Sequence, residues 1–205
     1  MSRYKVTGSQ GSFEDGSQGE VLANKLGIIN TVDIDDVELS LLGKLYQAVI
    51  HDDLPEERIT VAMIKAWHHQ WLGNVYEWAG QERSVQMSKG GFMFAPAERI
   101  PHLLREFEAQ CLGRYTPCAG FSDEQTIEAI AVTHVELILI HPFRDGNGRI
   151  SRLLADVMAV QAGYEPLNYE TWEKRKDEYI GAVHHGLEHD YEPMKKFVAE
   201  ALVSV

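Results

Sequence analysis

The chain has little that would tie it to an oxidising compartment, to a membrane or to nucleic acid. Its only cysteines in 205 residues are Cys111 and Cys118. Two thiols are too few for a disulfide framework and match no zinc-binding spacing, so a reducing cytoplasm is the expected location. The opening MSRYKVTGSQGSFEDGSQG lacks an apolar run of signal-peptide type. No later segment reaches about 18 uninterrupted apolar residues, so neither an export signal nor a spanning helix is expected. Basic residues are also scarce: 19 Lys and Arg against 31 Asp and Glu give a formal charge of −12. That sign repels nucleic acid and anionic lipid, so no direct nucleic-acid partner and no membrane partner are expected. A nucleotide would need arginines, helix dipoles or a metal ion to reverse the field locally.

What is present is an ordinary globular composition, 44% hydrophobic and 24% charged, on a length that suits one domain. Residues 1–19 are rich in Gly and Ser and read as a flexible tail, and residues 20–205 read as one domain without repeat or linker. Val37, Leu41, Leu42, Leu45 and Val49 recur at helical spacing behind Asp35 and Asp36, which are expected to cap the first turn. Val61, Ile64, Trp67 and Trp71 form a second amphipathic series. Further helices are expected at about 97–112, from Ser122 to near His141, from Arg149 through Val157, and at about 169–187 and 192–203. The helix from Ser122 opens with a Ser-Asp-Glu-Gln capping box. The helix from Arg149 buries Ile150, Leu153, Leu154 and Val157, and the last is entered through Pro193. The fold class is therefore all-α, a compact helical bundle with one exception. In RSVQMSKGGFMFAP the period drops to two over Arg83 to Ser88, Lys89-Gly90-Gly91 turns, and Phe92-Met93-Phe94 extends again. A lone hairpin leaves an unpaired edge that can recruit an extended peptide.

The densest chemistry lies in HPFRDGNGRISR, residues 141–152. Pro142 disfavours helix at His141, which therefore ends one helix as Arg149 opens the next. Gly146 and Gly148 can adopt positive φ, turning successive N–H groups inward as an anion-binding nest, and a helix N-terminus behind them adds partial positive charge. Arg149 and Arg152 lie three residues apart on one face and can reach successive phosphates. A carboxylate at Asp145 beside phosphates calls for a divalent cation between them, commonly Mg²⁺. His141, neutral at pH 7, can serve as a general base for an incoming hydroxyl. Phe143 is expected to point inward and anchor the loop.

The pattern His141-x-Phe143-x-Asp145-Gly146-Asn147-Gly148-Arg149-x-x-Arg152 resembles the complete signature of the Fic (filamentation induced by cAMP) domain. VYEWAGQERSVQMSKGGFMFAPAERI resembles the family's flap region, VLANKLGI a frequent N-terminal segment, and GLEHDYEPM the start of its last helix. The likeness runs from about residue 20 to 203. It implies a protein adenylyltransferase that takes ATP with Mg²⁺ and moves AMP to a Tyr, Ser or Thr hydroxyl of a target protein. By that resemblance His141 is the base, Asp145 the metal ligand, and Gly146, Asn147 and Gly148 the anion hole. Arg149 and Arg152 hold the outer phosphates, and Lys89 sits near the nucleotide. Ser84, Val85, Gln86, Met87 and Ser88 form the flap strand that docks the target.

Related proteins with lysine in place of Gly148 act as phosphotransferases, so glycine favours AMP transfer; transfer of UMP or phosphocholine through the same loop stays open. Many members restrain themselves with a glutamate four residues after Ser or Thr. No Glu here has that spacing, so either a separate antitoxin-like protein supplies the restraint or the enzyme works without it. Arg152 is then expected to be free of a carboxylate. The competing readings are a metal-dependent hydrolase built on His134, His141 and Asp145, and a module that binds nucleotide without reacting. His184, His185, His189 and Asp190 make a second cluster, expected to be solvated.

Overall fold

A computed structural model describes residues 5–7 and 11–204. Its helices are α1 Thr31–Tyr46, α2 Val61–Leu72, α3 Ile100–Phe107, α4 Gly113–Tyr115, α5 Asp123–Ile140, α6 Asn147–Gln161, α7 Glu170–Lys174, α8 Lys176–His185 and α9 Glu192–Ala201. The strands are β1 Lys5–Thr7, β2 Gln86–Lys89, β3 Phe92–Met93, β4 Tyr164–Glu165 and β5 Val203–Ser204.

The centre is α5. Ala129, Ile130, Ala131 and Val135 are fully buried within it, and α6 and α9 lie against it. Ile150, Leu153 and Val157 of α6 are equally dry, and each side chain of this size contributes roughly 1.5–3 kcal/mol when removed from water. Ser122 and Gln125 form the expected reciprocal cap at the start of α5. At its other end His141 adopts the left-handed conformation, φ 51°, and its N–H bonds Leu137 O at 3.0 Å. This closes the helix one residue before Pro142, where a further helical residue is disfavoured. Thus six residues, 141–146, lie between the end of α5 and the start of α6, and the motif loop is gripped by the two most buried helices.

The start of α1 differs from expectation. Its cap is Asn30, whose Oδ1 accepts from Val32 N at 2.8 Å. Asp35 and Asp36 lie inside the helix and do not cap it, because an amide oxygen one turn earlier already satisfies the first free N–H groups. The N-terminal segment differs too. Glu14 N bonds Val21 O at 2.8 Å and Ser17 is buried, so residues 11–19 fold back as a turn against the domain. Residues 1–4 and 8–10 of the expected tail lie outside the described residues.

The hairpin forms where alternation placed it, with Lys89 opposite Phe92 across Gly90-Gly91, both at positive φ. That is the backbone a two-residue hairpin turn requires. Its outer edge is not open, however: β1 pairs antiparallel with β2, Val6 opposite Met87. β4 and β5 form a second small sheet near the C-terminus. Among the described residues no helix is long and apolar enough to cross a membrane.

Candidate active site

His141 is 4% exposed at the junction of α5, the loop and the hairpin. Its Nδ1 lies 3.2 Å from Ile138 O; a carbonyl only accepts, so Nδ1 carries the proton and Nε2 the lone pair. Phe94 stacks on the ring at 3.7 Å and 16°. Burial first, then the charges of Arg83 and Lys89, push the imidazole down to about 3, which keeps it neutral at pH 7. The tautomer and charge are those of a general base.

Gly146 sits at φ 78° as the N-cap of α6, and a Cβ there would lie 2.6 Å from Trp71 Cζ3. Both the left-handed backbone and the indole require glycine. Gly148, expected at positive φ, is instead helical, in the first turn of α6, with open space where a Cβ would stand. The cradle is one left-handed glycine followed directly by a helix N-terminus, whose unpaired N–H groups suit an anion. Asn147 contributes only main chain to it. Its side chain is 1% exposed and bonds back to Phe143, accepting from N and donating to O, both at 2.8 Å. The amide is a staple that gives the loop its shape. Phe143 is buried and stacks on His68 at 3.9 Å.

His68 was not singled out by sequence, yet it supports the loop. Its Nδ1 accepts from Gly80 N at 2.8 Å, so Nε2 donates to Asp145 O at 3.0 Å. Burial brings its pKa down to about 4, keeping this relay neutral. Arg83 was also missed. Fully buried, it donates from Nε to His141 O at 2.6 Å, from Nη1 to Val85 O at 2.7 Å and from Nη2 to Ala95 O at 2.6 Å. One guanidinium thereby joins the motif loop to both arms of the hairpin. Burial lowers its pKa to about 10, leaving it charged at neutral pH.

The two motif arginines each cover an aromatic face and each meet a carboxylate. Arg149 lies 4.4 Å above the Trp71 ring with Nη1 2.7 Å from Glu38 Oε2. Arg152 lies 4.7 Å above Tyr169 with Nη1 3.1 Å from Glu173 Oε1. Arg152, expected to be free of a carboxylate, instead pairs with one. Glu173 is 69% exposed, whereas Glu38 is 4% exposed, so only the first can be displaced into water at low cost.

Asp145 Oδ1 accepts from Gly146 N at 2.6 Å and faces Arg149 Nη2 at 3.8 Å. It offers one hard oxygen ligand at the mouth of the cradle. A small divalent cation that keeps several waters and takes its other ligands from phosphates fits a single carboxylate. Among the described residues no group of three or more His, Cys, Asp or Glu forms a fuller ligand set. Lys89 ends β2 at an exposed position, and its charge is felt at His141. Along the hairpin Val85 and Met87 are buried, Ser84 is exposed, and Gln86 and Ser88 lie between.

The hydrolase reading loses its third ligand. His134 is buried with Nδ1 3.2 Å from Ser151 O and Nε2 2.9 Å from Tyr179 OH. Both nitrogens face protein partners within the core, which leaves neither for a metal shared with His141 and Asp145. The second histidine cluster is dispersed: His184 stacks on Phe92, His185 meets Asp190, and His189 meets Tyr191.

The sequence model described as "Fic/DOC family" matches residues 58–159. "Probable protein adenylyltransferase y4lH" of Sinorhizobium fredii is 29% identical over 145 residues, which is 71% of this chain and 73% of that protein. "Protein adenylyltransferase fic-1" of Caenorhabditis elegans is 30% identical over 78% of this chain, and the match spans only 28% of that longer protein. Among solved structures, the BepC protein of Bartonella tribocorum with bound AMPPNP superposes with TM-score 0.74 at 21% identity, covering 94% of this chain and 96% of that one. The N-terminal Fic domain of a Bartonella quintana cell filamentation protein with bound ADP gives TM-score 0.76 at 23% identity, covering 94% of each chain. Loop, flap and helical frame together with these matches make the chain a member of the Fic/DOC family.

Proposed function

We propose that the protein is an adenylyltransferase that moves AMP from ATP to a hydroxyl side chain of a target protein. The observation that carries this is the neutral His141, with its lone pair on Nε2, beside a cradle of Gly146 and the α6 N-terminus. A phosphate chain lying in that cradle meets the helix N–H groups and Arg152, once Arg152 exchanges exposed Glu173 for phosphate oxygen. The target hydroxyl gives its proton to His141 Nε2 as its oxygen bonds the α-phosphorus, and the bond from that phosphorus to the bridging oxygen breaks. Pyrophosphate leaves, so atoms and charge balance. Asp145 is the residue to hold Mg²⁺, which when bound supplies positive charge between carboxylate and phosphates. Positioning and fixed dipoles provide most of the acceleration, the base typically about 10²–10⁴-fold.

The target aligns along the hairpin through main-chain pairing, the mode that β1 already uses on β2. The carboxylate on Arg152 is exposed, so a partner protein's glutamate can take its place, which is how a separate antitoxin-like inhibitor would act. The compartment of this proposal is a reducing cytoplasm, in which buried Cys111 and Cys118 stay thiols.

The test is covalent labelling with Mg²⁺ and ATP carrying label at the α or the γ position. AMP transfer retains only the α label. Retention of the γ label would make the enzyme a phosphotransferase, no covalent label a binding module, and efficient label from UTP alone a different nucleotidyltransferase.

A further inference from the structure

Glu38 is a carboxylate buried in the middle of α1, on the face that also carries Ile34 and Leu45. An ionised group in such a place is costly unless paired. Here each oxygen is answered: Oε1 accepts from Tyr76 OH at 2.7 Å, Oε2 makes an ion pair 2.7 Å from Arg149 Nη1 without hydrogen-bond geometry, and its main-chain O accepts from Trp71 Nε1 at 2.8 Å. The same Trp71 carries the Arg149 guanidinium on its face and blocks any side chain at Gly146. Arg149 is thus covered on one face and held at one edge. Its remaining amino group, Nη2, is shielded from water and lacks a hydrogen-bond partner, and it faces Asp145 Oδ1 at 3.8 Å. That gap is too long for a hydrogen bond.

We infer that Glu38 is a positioning residue for the metal-nucleotide site, acting through Arg149 on Asp145. This rests on the nucleotide reading proposed above. Glu38 holds the guanidinium back against Trp71, so that its charge orients the Asp145 carboxylate without closing on it. Both motif arginines were assigned to phosphates by resemblance; the geometry divides them. Arg152, with an exposed partner, is left to the phosphate chain, while Arg149 is reserved by a buried one. Without the Glu38 charge, Arg149 can advance onto Asp145 as a direct ion pair and compete with the cation for its oxygens.

The experiment is Mg²⁺ titration of the binding of a fluorescent ATP analogue to the wild-type chain, Glu38→Gln and Tyr76→Phe, with thermal melting of each. For Glu38→Gln the half-saturating Mg²⁺ is expected to rise roughly tenfold, the scale of removing an outer partner of a metal ligand. Binding without Mg²⁺ should hold or strengthen. In an Arg149→Gln background the Glu38→Gln effect should vanish, since it travels through the guanidinium; a merely structural role would leave it intact. Should Glu38→Gln melt too early, Tyr76→Phe carries the test. It keeps the ring stacked on Trp78 and removes only the hydroxyl that steadies Glu38, with a smaller shift of the same sign. A Glu38→Gln titration superimposed on the wild type, or faster AMP transfer by that variant, overturns the inference. Wild-type chain that binds no nucleotide at any Mg²⁺ concentration overturns the adenylyltransferase reading and this one with it.

Discussion

Arg83 Nε donates to the main-chain oxygen of His141 at 2.6 Å, although 58 residues separate the two. Since Nη1 and Nη2 of the same guanidinium hold Val85 O and Ala95 O, a single side chain ties the hairpin to the motif loop. Replacing Arg83 with methionine leaves four carbonyls, those of His141, Val85, Ala95 and Ile140, without this donor while keeping most of the side-chain volume. AMP transfer is expected to fall by about 10²-fold, the usual cost of a displacement near 1 Å at a reacting centre. Nucleotide affinity should fall far less. Steady-state kinetics beside equilibrium binding would separate the two, and equal losses in both would contradict this role.

The two loop glycines should respond in opposite ways. Gly146→Ala meets a left-handed backbone and the Trp71 ring at 2.6 Å, so a destabilisation of at least about 1–2 kcal/mol is expected from the backbone alone. Gly148→Ala enters open space in a helical turn and should melt at or slightly above the wild-type temperature. Its effect on nucleotide binding then reports how closely phosphate approaches that N–H. Denaturant melts of the two variants decide the first point.

Much of this loop was legible because its groups are consecutive: a helix end at Pro142, a glycine before a helix, and two arginines one turn apart. The helices followed from apolar spacing, and the hairpin from a change of period ending in Gly-Gly. What supports the loop was not legible, since Arg83, His68 and Glu38 reach it only through the tertiary fold. Arg83 read as one more residue of an alternating strand. His68 read as part of an amphipathic helix. Glu38 did leave a signal: a carboxylate in the stripe of Ile34 and Leu45 is out of place unless something buried answers it. Similarly, Asp35 and Asp36 are of capping type, but Asn30, one turn earlier, holds the cap position.

Acid should destabilise the fold below about pH 6.5. His68 and His134 are lowered to about 4 and His141 to about 3, each chiefly by burial. In the unfolded chain they take up protons near 6.5, so between that value and the folded ones the unfolded state binds more protons and stability falls as the pH falls. Asp156 opposes part of this. Burial raises it to about 6, so the folded state holds its proton over the range where the unfolded carboxyl has lost it. The net uptake on unfolding at pH 5 is therefore nearer two protons than three from these groups. Melting temperatures from pH 7 to 4.5 should decline steadily, and a flat profile would show that the three rings are charged or exposed when folded.

The first strand covers the edge on which a target would pair, Val6 opposite Met87. Deleting residues 1–10 should therefore raise the initial rate of label transfer to lysate proteins several-fold, with nucleotide affinity unchanged. An unchanged rate would mean that the target approaches the hairpin from elsewhere.

Intact-protein mass spectrometry after incubation with ATP, Mg²⁺ and an acceptor protein, using wild-type chain beside His141→Ala, bears most directly on whether His141 drives AMP transfer. The expected result is an acceptor heavier by one AMP with the wild type, no adduct with the variant, and equal nucleotide binding by both. Transfer that persists without the imidazole, or a mass gain of one phosphate instead of AMP, would contradict it.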